Sequence, residues 1–169
     1  MKFELLADLD DVPSGVDFRF DGCDALGAVN LRGTGYASHD VEARELRARI
    51  GGVEHVANVN VTGLAGFLLA KCAAALSRRK PKDWYDIAFV LIHNDVGGPV
   101  EAAEAVLARF GAELAGVRTA LDDLHANFAD PGAQGSQAYA EPMLADHPEL
   151  ERTTLLADAV VAVDASTAT

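Results

Sequence analysis

The chain has 169 residues, half of them hydrophobic and 24% charged, with a formal net charge of -12. This is the composition of a soluble globular domain with room for a core. The longest apolar run, over residues 64 to 76, is broken by Lys71, so no stretch reaches the roughly 18 residues of a membrane span. Acidic side chains from Glu4 to Asp11 stand where a secretory signal needs a basic start. The expected location is therefore cytoplasmic, with both cysteines, Cys23 and Cys72, reduced and buried.

Residues 2 to 9 alternate, with Phe3, Leu5, Ala7 and Leu9 on one side, which is the period of a strand. A turn over residues 12 to 15 leads to a second alternating run, Val16, Phe18 and Phe20, and the two predict a hairpin. Residues 26 to 31 suit a third strand. Residues 40 to 61 are ambiguous, because helix formers over 42 to 49 are followed by Gly51, Gly52 and a β-rich run; strands are the favoured reading.

The period then changes. Thr62 suits the N-cap of a helix over residues 63 to 77, apolar on nearly every face. Pro81 suits the first turn of the next helix, whose Trp84, Ile87, Ala88 and Leu91 repeat at helical spacing. Further helices are predicted over residues 100 to 110, 113 to 125, 137 to 145 and 149 to 163, with residues 164 to 169 a frayed tail. Strands over residues 1 to 61 and helices over 62 to 163 make one domain of α+β class.

Charge is unevenly spread. Residues 96 to 169 hold twelve acidic and three basic side chains, whereas Arg78, Arg79, Lys80 and Lys82 fall within five consecutive positions. An anion is the natural partner of that turn, although a solvated loop paired to Asp83 and Asp86 is the simpler alternative. General binding of duplex DNA is not expected, because the acidic remainder repels phosphate, and a local phosphate site stays open.

Lys71 is the sole charge between Thr62 and Ser77, so it must snorkel, meet a carboxylate or face an anion. Arg78, seven residues on, projects from the same helix face, and the two can converge on phosphate oxygens. Asp83 falls in a first helical turn, where the dipole alone favours a carboxylate. Asp86 borders the apolar stripe and needs a partner, which Lys71 or Arg78 would supply.

The run LAGFLLAKCAAALSRRKPKDWYDIAFVLI, from Leu64, resembles the nucleotidyltransferase toxins of the abortive-infection AbiEii type. That family has a lysine-bearing helix followed by R-x-K-x-[RK]-D-x-Y-D-[LI]. The matching positions are Lys71, Arg78, Lys80, Lys82, Asp83, Tyr85, Asp86 and Ile87; Ala70 stands where members often carry glutamate. The resemblance implies a nucleotidyltransferase-like fold, a nucleoside triphosphate with Mg²⁺ as cofactor, a toxin–antitoxin role with a cognate antitoxin protein, and transfer RNA as an acceptor class. On that basis Lys71, Arg78, Lys80 and Lys82 bind triphosphate, Asp86 orients the basic pair, and Glu4 stands for a third carboxylate.

The chain departs from the family in lacking a Gly-Ser turn followed by D-x-D, whose acids hold metal in two-metal chemistry. Asp8 and Asp10 have the spacing, but only seven residues precede them. The resemblance therefore covers the C-terminal part of the family, and the isolated chain is expected to be inactive. A non-enzymatic protein-interaction module that keeps the fold is the alternative. The five histidines share no metal-ligand spacing. Gly33, Thr34 and Gly35 make a turn without the rest of a dinucleotide fingerprint.

Overall fold

Of the alternating residues 2 to 9, those up to 4 lie outside the described residues and only Leu6 and Ala7 form a strand, and the first two strands do not pair with each other. In the computed structural model, which describes residues 5 to 167, β1 (Leu6–Ala7) and β2 (Asp17–Phe20) both bond to β3 (Cys23–Asn30), in the order β1-β3-β2. β1 runs parallel to β3 through Leu6↔Val29, and β2 antiparallel through Phe18↔Ala28. The longer β3 satisfies backbone groups on both its edges, which displaces the predicted hairpin between the first two strands. Buried Asn30 pins the intervening loop. Its amide donates to the carbonyls of Leu9 at 3.0 Å and Val12 at 2.6 Å, and its oxygen accepts from the Leu9 N–H at 2.8 Å.

The ambiguous stretch is a hairpin. β4 (Val41–Ile50) and β5 (Val53–Thr62) pair residue for residue from Val41↔Thr62 to Ile50↔Val53. Gly51 and Gly52, at φ +59° and +84°, form the two-residue turn, which needs a left-handed conformation at both positions. Ahead of it lies a short helix the sequence did not announce, α1 (Tyr36–His39).

The lysine-bearing helix is α2 (Leu64–Arg78). Its predicted cap, Thr62, does not serve: the Thr62 hydroxyl donates to the Gly63 carbonyl at 3.2 Å, and Gly63 is the N-cap without a side-chain bond. The carboxylate of Asp40 instead accepts the Gly66 N–H at 2.8 Å, so a residue distant in sequence supplies the acceptor that a local cap would offer. A Cβ on Gly66 would stand 2.6 Å from the Tyr36 carbonyl oxygen and 2.7 Å from the Asp40 Cβ. Only glycine permits this approach.

α3 (Pro81–His93) follows after Arg79 and Lys80, and then α4 (Pro99–Phe110). Both carry proline in the first turn, where its missing N–H costs nothing. The helix predicted over residues 113 to 125 divides into a 3-10 turn (Leu114–Val117) and α5 (Arg118–Asn127). Gly116 weakens the helix there, and buried Val117 packs with Phe110, Leu69 and Ala65.

α6 (Gln134–Asp146) and α7 (Arg152–Thr167) complete the chain. The tail expected to fray continues α7 to Thr167, where the Ser166 and Thr167 hydroxyls donate back to the Val163 carbonyl at 2.8 and 3.0 Å. The fold is α+β: a small N-terminal sheet and hairpin, then a helical half. Its core sits around α3, where Trp84, Ile87 and Ala88 meet Phe128, Tyr139, Ala159 and Val163 at essentially zero exposure. Among the described residues, no helix is long and apolar enough to cross a membrane.

Candidate functional site

The two-residue connection between α2 and α3 folds the basic turn back on itself. Arg79 ends α2 at φ +52°, a left-handed conformation rare outside glycine, with its N–H on the Ala75 carbonyl at 2.9 Å and its guanidinium 2.7 Å from Asp123. The sharp reversal sets the first two turns of α3 against the last two of α2. That is why residues twelve and fifteen positions apart meet.

Asp83 lies at the centre of the contact, with its side chain 3% exposed. It accepts from Lys71 Nζ at 3.2 Å, and from Arg78 Nε at 3.1 Å and Nη2 at 2.6 Å. Asp86 accepts from Lys71 Nζ at 2.7 Å and from Lys82 Nζ at 2.9 and 3.0 Å. Lys71 thus bridges two carboxylates, and Arg78 grips one of them through two nitrogens. Burial pushes the Asp86 carboxyl up, but the hydrogen bonds from Lys71 and Lys82 and their charges outweigh it and leave it below the usual value.

The predicted pairing of Lys71 with Asp86 is present. The relative weight given to the two acids is corrected: Asp83, read as a dipole-favoured carboxylate, is the buried one, and Asp86 is only partly covered. The signal was present in the sequence, because Asp83, Ile87 and Leu91 recur at i, i+4 and i+8 on the buried face of α3. Glu4 lies outside the described residues.

One face of α2 closes a cavity of about 760 Å³. Phe67, Ala70, Lys71, Ala74 and Arg78 form one wall; Asp8, Asp10, Thr34, Gly35 and His39 stand across from them. Lys80 and Lys82 do not line it: both are exposed, and Lys82 serves Asp86 from outside. Of the four predicted phosphate ligands, the fold brings only Lys71 and Arg78 to the cavity.

The opposite wall contains the D-x-D spacing that the sequence set aside for want of a Gly-Ser turn. Asp8 is held by backbone donors, the N–H groups of Gly33 at 3.0 and 3.1 Å and of Gly35 at 2.7 Å. This gives the Gly33-Thr34-Gly35 turn its purpose: it orients one carboxylate and begins α1. A Cβ on Gly35 would fall 2.7 Å from Asp8 Oδ2. Cations on one wall and acids on the other match the polarity of a metal-bound polyphosphate. The donor set for the metal does not fit, because no group of three or more His, Cys, Asp or Glu side chains is gathered among the described residues, and Asp8 already serves three backbone contacts.

Cys72 is buried, and desolvation pushes its thiol up to about 12, which disfavours the reactive thiolate. Cys23 is only half-buried, which amends the expectation for that residue.

A family model described as the nucleotidyl transferase AbiEii toxin of a Type IV toxin–antitoxin system matches residues 28–163. No curated protein and no solved structure matches the chain. The family match takes in α2, the reversal at Arg79 and the paired carboxylates of α3, and runs on through the helical half to α7. Four-fifths of the sequence lies within it, and the chain belongs to the AbiEii nucleotidyltransferase toxin family.

Proposed function

We propose that this chain is a nucleotidyltransferase-type toxin domain whose cavity beside α2 receives the phosphates of a nucleoside triphosphate. The observation that carries the reading is the convergence of Lys71 and Arg78 on the buried carboxylate of Asp83, at the wall of a cavity large enough for a nucleotide. Asp83 fixes both cations from behind, and Asp86 adds a second hold on Lys71. A preorganised pair of this kind spends little entropy when a polyphosphate arrives. In this role Lys71 and Arg78 bind phosphate, while Asp83 and Asp86 are positioning residues. Lys80 and Lys82, at the mouth of the α2–α3 turn, raise the local potential.

Metal chemistry is not assigned to this chain's own residues. Among the described residues Asp8 and Asp10 provide two acids, short of a complete set, and the isolated chain is expected to bind triphosphate without transferring nucleotide. A cognate antitoxin and an RNA acceptor follow from the family resemblance, and a cytoplasmic setting from the acidic N-terminal stretch, as parts of the same proposal. Titration with a nucleoside triphosphate by calorimetry at low ionic strength tests the binding step, with Lys71→Ala and Arg78→Ala as controls. Incubation with labelled triphosphates, Mg²⁺ and total RNA tests transfer. Absence of binding at millimolar ligand removes the proposal; RNA labelling that depends on Lys71 reverses the statement about transfer.

One observation favours the interaction-module reading. Lys71, Arg78 and Lys82 each already hold a carboxylate, so the cluster is electrostatically satisfied without a ligand. Binding that is unchanged in both alanine variants would favour that reading.

A further inference from the structure

The β4–β5 hairpin stands apart from the core in a way that the candidate site does not explain. Every residue of β4 is exposed. Opposed residues in an antiparallel pair share a face, so one face carries Leu46, Ala48, Ile50, Val53, Ala57 and Val59 beside Glu42, Arg44 and His55. Leu46 is 54% exposed and Ile50 65%. Among the described residues β4 and β5 form a two-stranded sheet by themselves. Such a sheet is at best marginal in water unless further strands or a packed layer support it, and its open edge is a template for another chain.

We infer that the outer edge of β4 pairs antiparallel with β4 of a second copy of this chain, about a two-fold axis at Leu46. Charge is the first argument. The chain carries -12 overall, which opposes self-association, but residues 41 to 62 hold three arginines and three glutamates, so the hairpin is neutral. This edge is therefore one that another copy can approach without the repulsion of the net charge.

Register is the second argument. In a hairpin closed by a two-residue turn, the closing pair Ile50↔Val53 is hydrogen-bonded, and bonded pairs alternate from there. Val41, Ala43, Glu45, Arg47 and Arg49 therefore turn their N–H and C=O groups outward. With Leu46 opposite its own counterpart, Glu45 faces Arg47 of the partner copy, and Arg47 faces Glu45 of the partner copy. Glu45 and Arg47 already bond each other within β4, Nε to Oε1 at 2.7 Å, so the pairing closes a quartet of alternating charge. The neighbouring in-phase registers fail: one opposes Glu45 to itself, the other Arg47 to itself. Like charges directly opposite are destabilising. One register is selected, and it is self-complementary, as a two-fold contact requires. The product is a four-stranded sheet, β5-β4-β4-β5.

The test uses the whole chain and sedimentation or light scattering across a concentration series. Wild type is expected to show a monomer–dimer equilibrium. Glu45→Arg leaves only positive charge at the axis and Arg47→Glu only negative, so each alone is expected to weaken the dimer roughly tenfold or more. An equimolar mixture of the two variants is expected to restore association as a heterodimer, a result that misfolding cannot imitate. Helical circular dichroism and Trp84 emission serve as folding controls. A wild type that stays monomeric at every concentration, single variants that associate like wild type, or a mixture that fails to associate each overturns the inference. Association that survives both variants and disappears in Ile50→Asp would place the contact on the apolar face and overturn it as well.

Discussion

Removing the carboxylate of Asp83 is predicted to be the most damaging change in the basic cluster. Three hydrogen bonds from charged donors end on it, at 2.6, 3.1 and 3.2 Å, and its side chain is 3% exposed. Hydrogen bonds to charged groups contribute about 1.5 to 3 kcal/mol each, and breaking a buried pair by deleting one partner costs about 3 to 5 kcal/mol. The full range does not apply, because Lys71 and Arg78 are 22% and 25% exposed and regain some hydration. Lys71 also keeps Asp86. The expected cost of Asp83→Ala is therefore about 2 to 4 kcal/mol, or roughly 5 to 15 °C in Tm for a domain of this size. Urea titration followed by the emission of Trp84, the sole tryptophan and the next residue, measures it. Asp83→Asn, which keeps shape and one acceptor, should cost less. A loss below about 1 kcal/mol for Asp83→Ala would refute the assignment of Asp83 as the anchor of the cluster.

Lys71 and Asp86, in contact at 2.7 Å, should show coupling of roughly 0.5 to 3 kcal/mol in a double-mutant cycle; additive single effects would separate them. The Asp86 carboxyl lies below its ordinary value of 3.8, so the unfolded chain binds the proton first. Its contribution to stability is complete above that value and is lost as pH falls through the folded-state value. Asp86→Asn should accordingly flatten the acid limb of the stability curve, and an unchanged limb counts against the pairing. The same substitution removes one of the two holds on Lys71 and should weaken triphosphate binding at low salt; unchanged or tighter binding would show that Asp86 competes for Lys71 instead of positioning it. Finally, Cys72, buried with its thiol pushed up to about 12 by desolvation, should react with a thiol reagent at mildly alkaline pH only as the domain unfolds. Half-buried Cys23 should react first, and equal rates would contradict this packing.

The sequence by itself determined the change from alternating to helical periodicity near residue 62, the position of α3 from Trp84, Ile87, Ala88 and Leu91, the placement of Lys71 and Arg78 on one face of α2, and that of Asp83 and Asp86 one turn apart on α3. These follow from local spacing, which a helix converts directly into shared faces. For β4 and β5 the sequence offered only a preference for strands, since Gly51-Gly52 precedes a β-rich run but follows the helix formers of residues 42 to 49. Tertiary structure decided what depends on distant partners. Asp40 displaced Thr62 as the acceptor at the head of α2 because chain reversal through the hairpin brought it there. β3 took both N-terminal strands because its two edges outcompeted a local hairpin. Asp83 became the anchor, and Asp8 was brought to the cavity wall facing Lys71, only when the Arg79 reversal and the Gly33–Gly35 turn fixed two pairs of elements against each other. Burial of a charge is a property of the whole packing arrangement, and single residues read in order do not carry it.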